Sequence, residues 1–307
     1  MSEQIRAASP APRPMSRRGL IGVLVLIPIV GIFYFLAIQN YSVEGGITTT
    51  GGAPAGAQGI LVTIEPSAVD SVANTATMRL AFDATGQDIM DDESRLIKNT
   101  RLTVVSSDGA SEYKFLAGDY LGRAEVTVGL YGDAAAYPLD VHDGSFTVIA
   151  DTYTRDSTGA LESTGDIPVS YQTMGGVNGW DIAFTLPSSP DAFTIVGMEM
   201  SRVFSTKIFA FVLLAMASLL ALLALFTALL VITNRRKIEV ALLPWTASLL
   251  FALPLLRTYL PNAPPIGAAI DIYIYLWVIV GAVIASVLSV LAWVIQRGAE
   301  ARDSHAA

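Results

Sequence analysis

The most distinctive group of residues that could carry chemistry is the stretch Tyr137-Pro138-Leu139-Asp140-Val141-His142-Asp143. His142 stands near two carboxylates in sequence, those of Asp140 and Asp143, and could act as a pH sensor or a proton shuttle. The alternative is a rigid loop between strands, in which the proline fixes the turn and an aspartate hydrogen-bonds its own backbone. We favour the rigid loop and expect Tyr137, Pro138, Asp140, His142 and Asp143 to be structural or partner-contact residues.

Arg257 and Asp271 form a second candidate pair, because both lie near the ends of long apolar segments. A charge at mid-membrane costs about 2.5–3.5 kcal/mol and often marks a functional site. Asp271, however, lies at the start of a predicted helix, where the helix dipole favours an acid. We therefore expect a structural clasp across the turn at 261–267, with an ion or proton path as the alternative.

Candidate metal ligands are few. Asp88, Asp91, Asp92 and Glu93 could hold Ca²⁺, but they lack the Asp-x-Asp-x-Asp-Gly spacing, and a solvated acidic loop is the interpretation we prefer. The chain has no cysteine and two histidines, which argues against thiolate and multi-histidine centres. A Ser-His-Asp arrangement, a phosphate-binding Gly-Lys loop and an HExxH helix are also missing from the sequence. We predict no catalytic residue, no cofactor, no metal site and no enzymatic activity.

The composition is typical of a membrane protein. Hydrophobic residues make up 52% of the 307 residues and charged residues 15%, whereas soluble domains are roughly a quarter charged. Residues 40–206 are acidic, with 22 Asp and Glu against 8 Lys and Arg. We therefore expect no nucleic-acid partner, because phosphate binding needs a basic surface.

Four apolar runs predict transmembrane helices at 19–39, 207–233, 240–260 and 270–296, because about 20 apolar residues span the hydrocarbon core. The 19–39 run could instead be a signal peptide, but it is longer than the usual apolar core of one. The other predicted segments are a tail at 1–18, a flexible linker at 40–58, a loop at 234–239, a turn at 261–269 and a tail at 297–307. Basic residues in both tails and in the 234–239 loop predict that these parts are cytoplasmic. This places the acidic segment outside a multi-pass plasma-membrane protein.

Residues 59–206 contain many short segments of alternating or β-branched character. These predict strands near 60–65, 76–82, 101–106, 112–116, 123–130, 145–152, 167–173, 179–186 and 193–203. The fold class that follows is an α+β membrane protein with four transmembrane helices and an extracytoplasmic antiparallel β-sandwich. In the last helix, Gly281, Ala285 and Ser289 repeat every four residues, a spacing that allows close helix packing within the bundle or against another subunit.

The stretch Leu243-Pro244-Trp245-Thr246-Ala247-Ser248-Leu249-Leu250-Phe251-Ala252-Leu253-Pro254-Leu255-Leu256-Arg257 resembles an integral membrane-protein family of mycobacteria and related actinobacteria. Pro261 to Gly267, Asp271, Trp277 and Tyr137-Pro138-x-Asp140 continue the resemblance, which covers about residues 60–297. The family is labelled only as a domain of unknown function, so the resemblance implies a topology and an actinobacterial source without an activity.

Two functions are compatible with these features. The first is a non-enzymatic accessory or scaffold subunit of a cell-envelope complex, in contact with the lipid bilayer and with an envelope protein or a second copy of itself. The alternative is a channel or transporter subunit with an outer sensing domain. The second apolar run offers only Ser218 and Thr227 in mid-span, which is a poor pore lining.

Overall fold

The structure is a computed structural model, and it describes Gly31, Phe35 and residues 46–52, 58–86, 88–262 and 264–306. The chain divides into two compact units, 1–43 and 44–307. Gly31 and Phe35, both helical, are the described residues of the first unit. The predicted helix at 19–39 otherwise lies outside the described residues.

Eleven strands form one sheet in the described part of the second unit. They are β1 (Ile47–Gly51), β2 (Gly59–Asp70), β3 (Thr75–Thr85), β4 (Thr100–Ser106), β5 (Gly109–Phe115), β6 (Arg123–Gly132), β7 (Val141–Arg155), β8 (Leu161–Ile167), β9 (Val169–Thr173), β10 (Trp180–Leu186) and β11 (Ile195–Arg202). The main path runs β1-β10-β11-β7-β6-β3-β2-β9, while β4, with β5 behind it, and β8 branch from β7.

The sheet curls into a nearly closed barrel. Its two terminal strands approach each other, since the hydroxyl oxygens of Thr49 in β1 and Thr173 in β9 lie 2.6 Å apart. Alternate residues of the strands face inward, as in β10, where Trp180, Ile182, Phe184 and Leu186 are buried and the residues between them are exposed. This alternation places one continuous apolar core inside the curled sheet.

The predicted antiparallel sandwich is wrong. β1 pairs with β10 and β2 pairs with β9 in parallel, and all eleven strands belong to one hydrogen-bonded sheet. The predicted strand segments do fall on strands, because alternation of apolar residues marks one buried face. Alternation does not indicate how a sheet closes. β1 lies within the segment that the sequence predicts to be a flexible linker. The prediction missed this strand because its Thr- and Gly-rich sequence does not alternate between apolar and polar residues.

Three helices follow the sheet: α1 (Phe204–Ile232), α2 (Leu242–Thr258) and α3 (Leu276–Ala306), the last preceded by a π-helical turn at Asp271–Tyr275. Phe204–Ile232 and Asp271–Gly298 are long and apolar enough to cross a membrane. The prediction of four transmembrane helices is wrong. α2 has 17 residues and rises about 26 Å, short of the roughly 30 Å hydrocarbon core. The helix predicted over 240–260 is too long, because both ends of this apolar run form turns. The Leu242 N–H donates to the Glu239 carbonyl at one end, and the Leu260 N–H donates to the Arg257 carbonyl at the other.

α1 and α3 pack along a seam of small residues. The buried positions of α1 from its second turn onward are Ala210, Leu214, Ala217, Ala221, Ala224, Ala228 and Val231. Those of α3 are Val278, Ala282, Ala285, Ser289 and Ala292. Both sets alternate in steps of four and three residues, the spacing that keeps two helices in contact over many turns. The small side chains let the two backbones approach closely.

Candidate functional site

The sheet and the helices meet with almost no connecting chain. β11 ends at Arg202 and α1 begins at Phe204, so Val203 alone joins them. Val203 is buried, and its N–H donates to the Gly179 carbonyl at 3.2 Å. Gly179 has φ +86°, and a Cβ there would lie 3.3 Å from the side-chain nitrogen of Asn262. The start of β10 is therefore packed against the turn that precedes α3.

Arg202, the last residue of β11, has a guanidinium group that is only 1% exposed. Its Nε donates to Asp140 Oδ1 at 2.7 Å, and its Nη2 donates to Asp140 Oδ2 at 3.0 Å and to Ser71 Oγ at 2.9 Å. A buried charge is tolerated only when it is paired and hydrogen-bonded, and the two-pronged carboxylate contact supplies both conditions. Arg202 and Asp140 thus form a charge-balanced pair at the base of the sheet.

His142 extends this pair into a buried network. Its Nε2 lies 3.2 Å from Asp140 Oδ2, and its Nδ1 lies 3.1 Å from Asn74 Oδ1. Since a carboxylate only accepts, the Nε2–H donates to Asp140. Gly132 faces the ring, and a Cβ at Gly132 would overlap the Nδ1 atom of His142. The backbone of β6 therefore holds the imidazole in place from one side.

Two aromatic rings enclose the guanidinium of Arg202. Its central carbon lies 4.6 Å from the centroid of the Tyr137 ring and 4.5 Å from that of Trp180, which are favourable cation–π distances. The edge of the Trp180 ring also meets His142, with centroids 5.8 Å apart. These contacts join the polar network to the apolar core of the sheet.

Tyr137 links the network to the helices. It is buried in a cluster with residues of α1 and of the segment before α3: Ala210, Leu214, Leu260, Ala268, Ile270 and Tyr275. Its hydroxyl and the Arg202 Nη1 have no hydrogen-bond partner among the described residues. Burial, opposed by the charge of Arg202 and reinforced by that of Asp140, raises the pKa of the Tyr137 phenol to about 12. We call Ser71, Asn74, Tyr137, Asp140, His142, Trp180 and Arg202 the junction network.

The junction network is closed to solvent at its polar centre. Asp140, His142 and Arg202 are each at most 1% exposed, so these three side chains have almost no contact with solvent. The junction network is therefore a buried contact, which Tyr137 extends from the sheet to the helices.

The structure separates the residues of the 137–143 stretch into two sets. Tyr137, Pro138, Asp140 and His142 are buried, whereas Leu139, Val141 and Asp143 are exposed. Asp143 lies on the opposite face of β7 from His142 and does not flank the ring. The expectation of a histidine between two carboxylates is corrected to one carboxylate and one amide, because alternate strand residues point to opposite faces.

Sequence reasoning missed Ser71, Asn74, Trp180 and Arg202, although they supply more than half of the junction network. Ser71 and Asn74 belong to an ordinary polar turn after β2. Arg202 did carry a signal, since it is a lone cation at an inward-facing position of an alternating strand. A charge in that pattern predicts a buried partner.

Arg257 and Asp271 lie together at the sheet end of the helices. Arg257 Nε donates to Asp271 Oδ1 at 2.7 Å, and its Nη2 donates to Asp271 Oδ2 at 2.6 Å and to the Pro265 carbonyl at 3.1 Å. The Gly267 N–H also donates to the Asp271 carboxylate at 2.9 Å. These bonds fasten the turn between α2 and α3, and the Tyr275 hydroxyl adds a bond to the Leu253 carbonyl.

The small-residue positions face α1. Ala285 and Ser289 are fully buried, and the Ser289 hydroxyl donates to the Ala285 carbonyl at 2.8 Å. Gly281 lies at the edge of the contact, where a Cβ would be 4.0 Å from that of Ala221. This face therefore packs between helices of the same chain.

The acidic 88–93 loop uses a carboxylate for its own backbone. Asp91 Oδ1 accepts from the N–H groups of Glu93 and Arg95 at 2.9 and 2.8 Å. Within the described ranges, no three His, Asp or Glu side chains are grouped so that they could hold a metal ion.

Two sequence families match the chain. Residues 49–199 match the family described as Domain of unknown function (DUF4436), and residues 202–296 match the family described as Domain of unknown function (DUF8686). No curated protein is similar enough to be counted as a relative. The expected match to a family of unknown function is thus found, as two adjoining families. Asp140 and His142 lie in the first match and Arg202 is the first residue of the second, so the junction network draws on both.

Proposed function

We propose that this protein is a non-enzymatic, membrane-embedded accessory or scaffold subunit of a cell-envelope complex, and that its barrel-like domain binds a partner. The junction network carries the proposal. A one-residue connection joins the sheet to the helices, and Tyr137 packs against the helices while it stacks on Arg202 of the buried ion pair, so the domain is held at a set height and angle. A fixed presentation suits a scaffold, because preorganised surfaces lose less entropy when they bind.

The outward surface of the helices supports insertion into a bilayer. Leu219, Leu222 and Phe226 of α1, Phe251 of α2 and Val287 of α3 are all exposed. Contiguous exposed apolar surface of this kind is unfavourable in water and favourable in lipid. The seam between α1 and α3 is built from small residues, as in helix pairs packed within membranes.

Charge supports an orientation with the barrel-like domain outside a plasma membrane and the chain crossing it more than once. The loop after α1 carries Arg235, Arg236 and Lys237. Gln296 of α3, which precedes Arg297, donates to the Asn234 side chain at 3.2 Å, so the basic loop after α1 and this part of α3 lie on the same side. The positive-inside rule makes that side cytoplasmic. The resemblance to actinobacterial membrane proteins agrees with an envelope role.

A partner surface lies on the outside of the sheet next to the junction. Tyr131 lies opposite Asp143 on the neighbouring strand, and Asp143 lies opposite Glu199. Val141 precedes Asp143 by two residues and lies on the same face of β7. Tyr131 is 69% exposed and Val141 45%. We call these four residues the outer patch. An aromatic and an aliphatic side chain beside two acids suit a protein partner with an apolar centre and a basic rim.

The alternative function, a channel or transporter subunit, has less support. Ser218 and Thr246 donate their hydroxyl groups to carbonyls of their own helices at 2.8 and 3.1 Å. Arg257 and Asp271 neutralise each other. Among the described helices these groups do not form a polar path, which ion passage requires.

Affinity purification of the full chain in mild detergent tests the proposal. We expect a partner protein, or a second copy, to co-purify with the parent chain and to be lost from a Tyr131→Lys, Val141→Lys double variant. Ile195→Lys is the matched control, because Ile195 is 70% exposed and lies at the other end of β11. Recovery of the monomer alone would refute the scaffold function, and ion flux through liposomes would establish the alternative.

A further inference from the structure

A pocket of about 320 Å³ lies between the end of α1 and the start of α2. Its walls are apolar and include Leu230, Val231 and Leu242, with Trp245 beside them. Arg236, Lys237 and Glu239 form its rim. The pocket is therefore amphipathic, with apolar walls and a charged edge, which is the character of a site for a molecule that is itself amphipathic.

The two basic side chains of the rim are free to bind. In the described ranges, neither the Arg236 guanidinium nor the Lys237 ammonium makes an ion pair or a side-chain hydrogen bond. α2 begins at this pocket without a side-chain cap at its N-terminus, and the helix dipole adds a partial positive charge there. Glu239 is the one acid in the lining, so the rim carries a net charge of +1.

The rim is held in shape by α3. Gln296 accepts from the Ile238 N–H at 2.8 Å and donates to the carbonyls of Val231 and Arg236 at 3.0 and 3.4 Å. A single side chain thus fixes both ends of the loop that carries Arg236 and Lys237. Their side chains start from a fixed backbone, which lowers the entropy lost when they bind a ligand.

We propose that this pocket binds an anionic phospholipid, with the phosphodiester at Arg236 and Lys237 and the upper acyl chains along Leu230 and Trp245. The inference rests on the proposed membrane location and names a ligand for it. Guanidinium and ammonium groups are the usual phosphate partners. Basic pockets between helices on the cytoplasmic side are a known setting for lipid headgroups.

The test uses the full chain reconstituted in nanodiscs that contain brominated lipid. Bromine quenches a nearby indole, and the Trp245 signal is isolated as the difference between the parent and a Trp245→Phe variant. We expect brominated phosphatidylglycerol to quench Trp245 and brominated phosphatidylcholine to quench it much less. Arg236→Gln with Lys237→Gln should weaken phosphatidylglycerol binding about 30-fold. Glu239→Gln should strengthen phosphatidylglycerol binding, because it removes from the rim a negative charge that repels the phosphate.

Arg235→Gln is the matched control, since Arg235 belongs to the same loop and does not line the pocket. A loss with Arg235→Gln equal to that of the double variant would overturn the pocket in favour of general surface attraction. Full competition by soluble glycerol phosphate would overturn the lipid as the source of the phosphate. If the chain were extracted from membranes by alkaline carbonate, the proposed function itself would fail. If the chain resisted carbonate extraction and the Arg236→Gln, Lys237→Gln double variant bound phosphatidylglycerol as well as the parent, the lipid inference alone would be overturned.

Discussion

Asp140→Asn is the most direct test of the junction network. The substitution keeps the shape of the side chain and removes its charge, which leaves the guanidinium of Arg202 1% exposed and without a counter-ion. Asp140 accepts three hydrogen bonds, two from Arg202 and one from His142. Removing one partner of a buried ion pair costs about 3–5 kcal/mol, a large share of the stability of a typical domain.

The measurement is thermal unfolding of the full chain in mild detergent, followed by the sheet signal in circular dichroism. For a domain of this size, 1 kcal/mol corresponds to roughly 2–4 °C, so we expect the midpoint to fall by about 10 °C. Asp143→Asn is the control, because it makes the same change three residues later in the chain at an exposed position. It should change the free energy of unfolding by no more than about 0.5 kcal/mol.

A double variant separates the ion pair from general damage to the fold. Arg202→Met removes the other charge, and the combination of Asp140→Asn with Arg202→Met should cost less than the sum of the two single changes. The difference is the coupling energy of the pair. If the Asp140→Asn midpoint fell by less than 2 °C, or if the two changes were additive, the account of the junction network would be refuted.

Three further predictions concern residues around this region. The folded-state pKa of Tyr137, about 12, lies above its ordinary value of 10.0. The contribution of Tyr137 to the free energy of unfolding should therefore be fully present well below pH 10 and fall by about 2 kcal/mol as the pH rises from 10 to 12, because the unfolded chain loses the phenol proton first. A Tyr137→Phe variant, measured by chemical denaturation across that range, should lose this decline and cost little at pH 7, because the hydroxyl has no partner among the described residues. Gly132→Ala should lower the unfolding midpoint by more than 5 °C, since its Cβ overlaps the His142 ring; an unchanged midpoint would mean that the ring can move. Asp271→Asn should cost about 1–3 kcal/mol, because the half-buried Arg257 loses its charged hydrogen-bond partner, and it should speed hydrogen exchange at Gly267, whose N–H bonds to that carboxylate, while exchange in β4 stays constant.

Part of the junction network could be predicted from the sequence. Asp140 and His142 are two residues apart, so a strand places both on one face and Val141 on the other. The pairing of Asp140 with Arg202 could not be predicted, because the two are separated by 62 residues and meet only through the register between β7 and β11. Long-range register depends on how the whole sheet closes, and alternation within one strand contains no information about it.

The helices show a similar division. Apolar length correctly located α1 and the helix that begins at Asp271, but the four-residue repeat at 281, 285 and 289 gave only part of the packing face. The actual seam alternates four- and three-residue steps and runs through Ala282 and Ala292, because contact with α1 has to be kept over many turns. The partner helix decides which face is used, and a single helix sequence does not identify its partner.

The one-residue connection at Val203 also sets a rotational phase. A helix turns by about 100° and rises 1.5 Å with each residue. One residue inserted between β11 and α1 would therefore turn the barrel-like domain about a quarter of a revolution relative to the helices, and it would move Tyr137 away from Ala210 and Leu214. The number of residues at this point fixes the orientation of the outer patch about the membrane normal. Deletions or insertions there should therefore be tolerated far less than in the loops at the other end of the sheet.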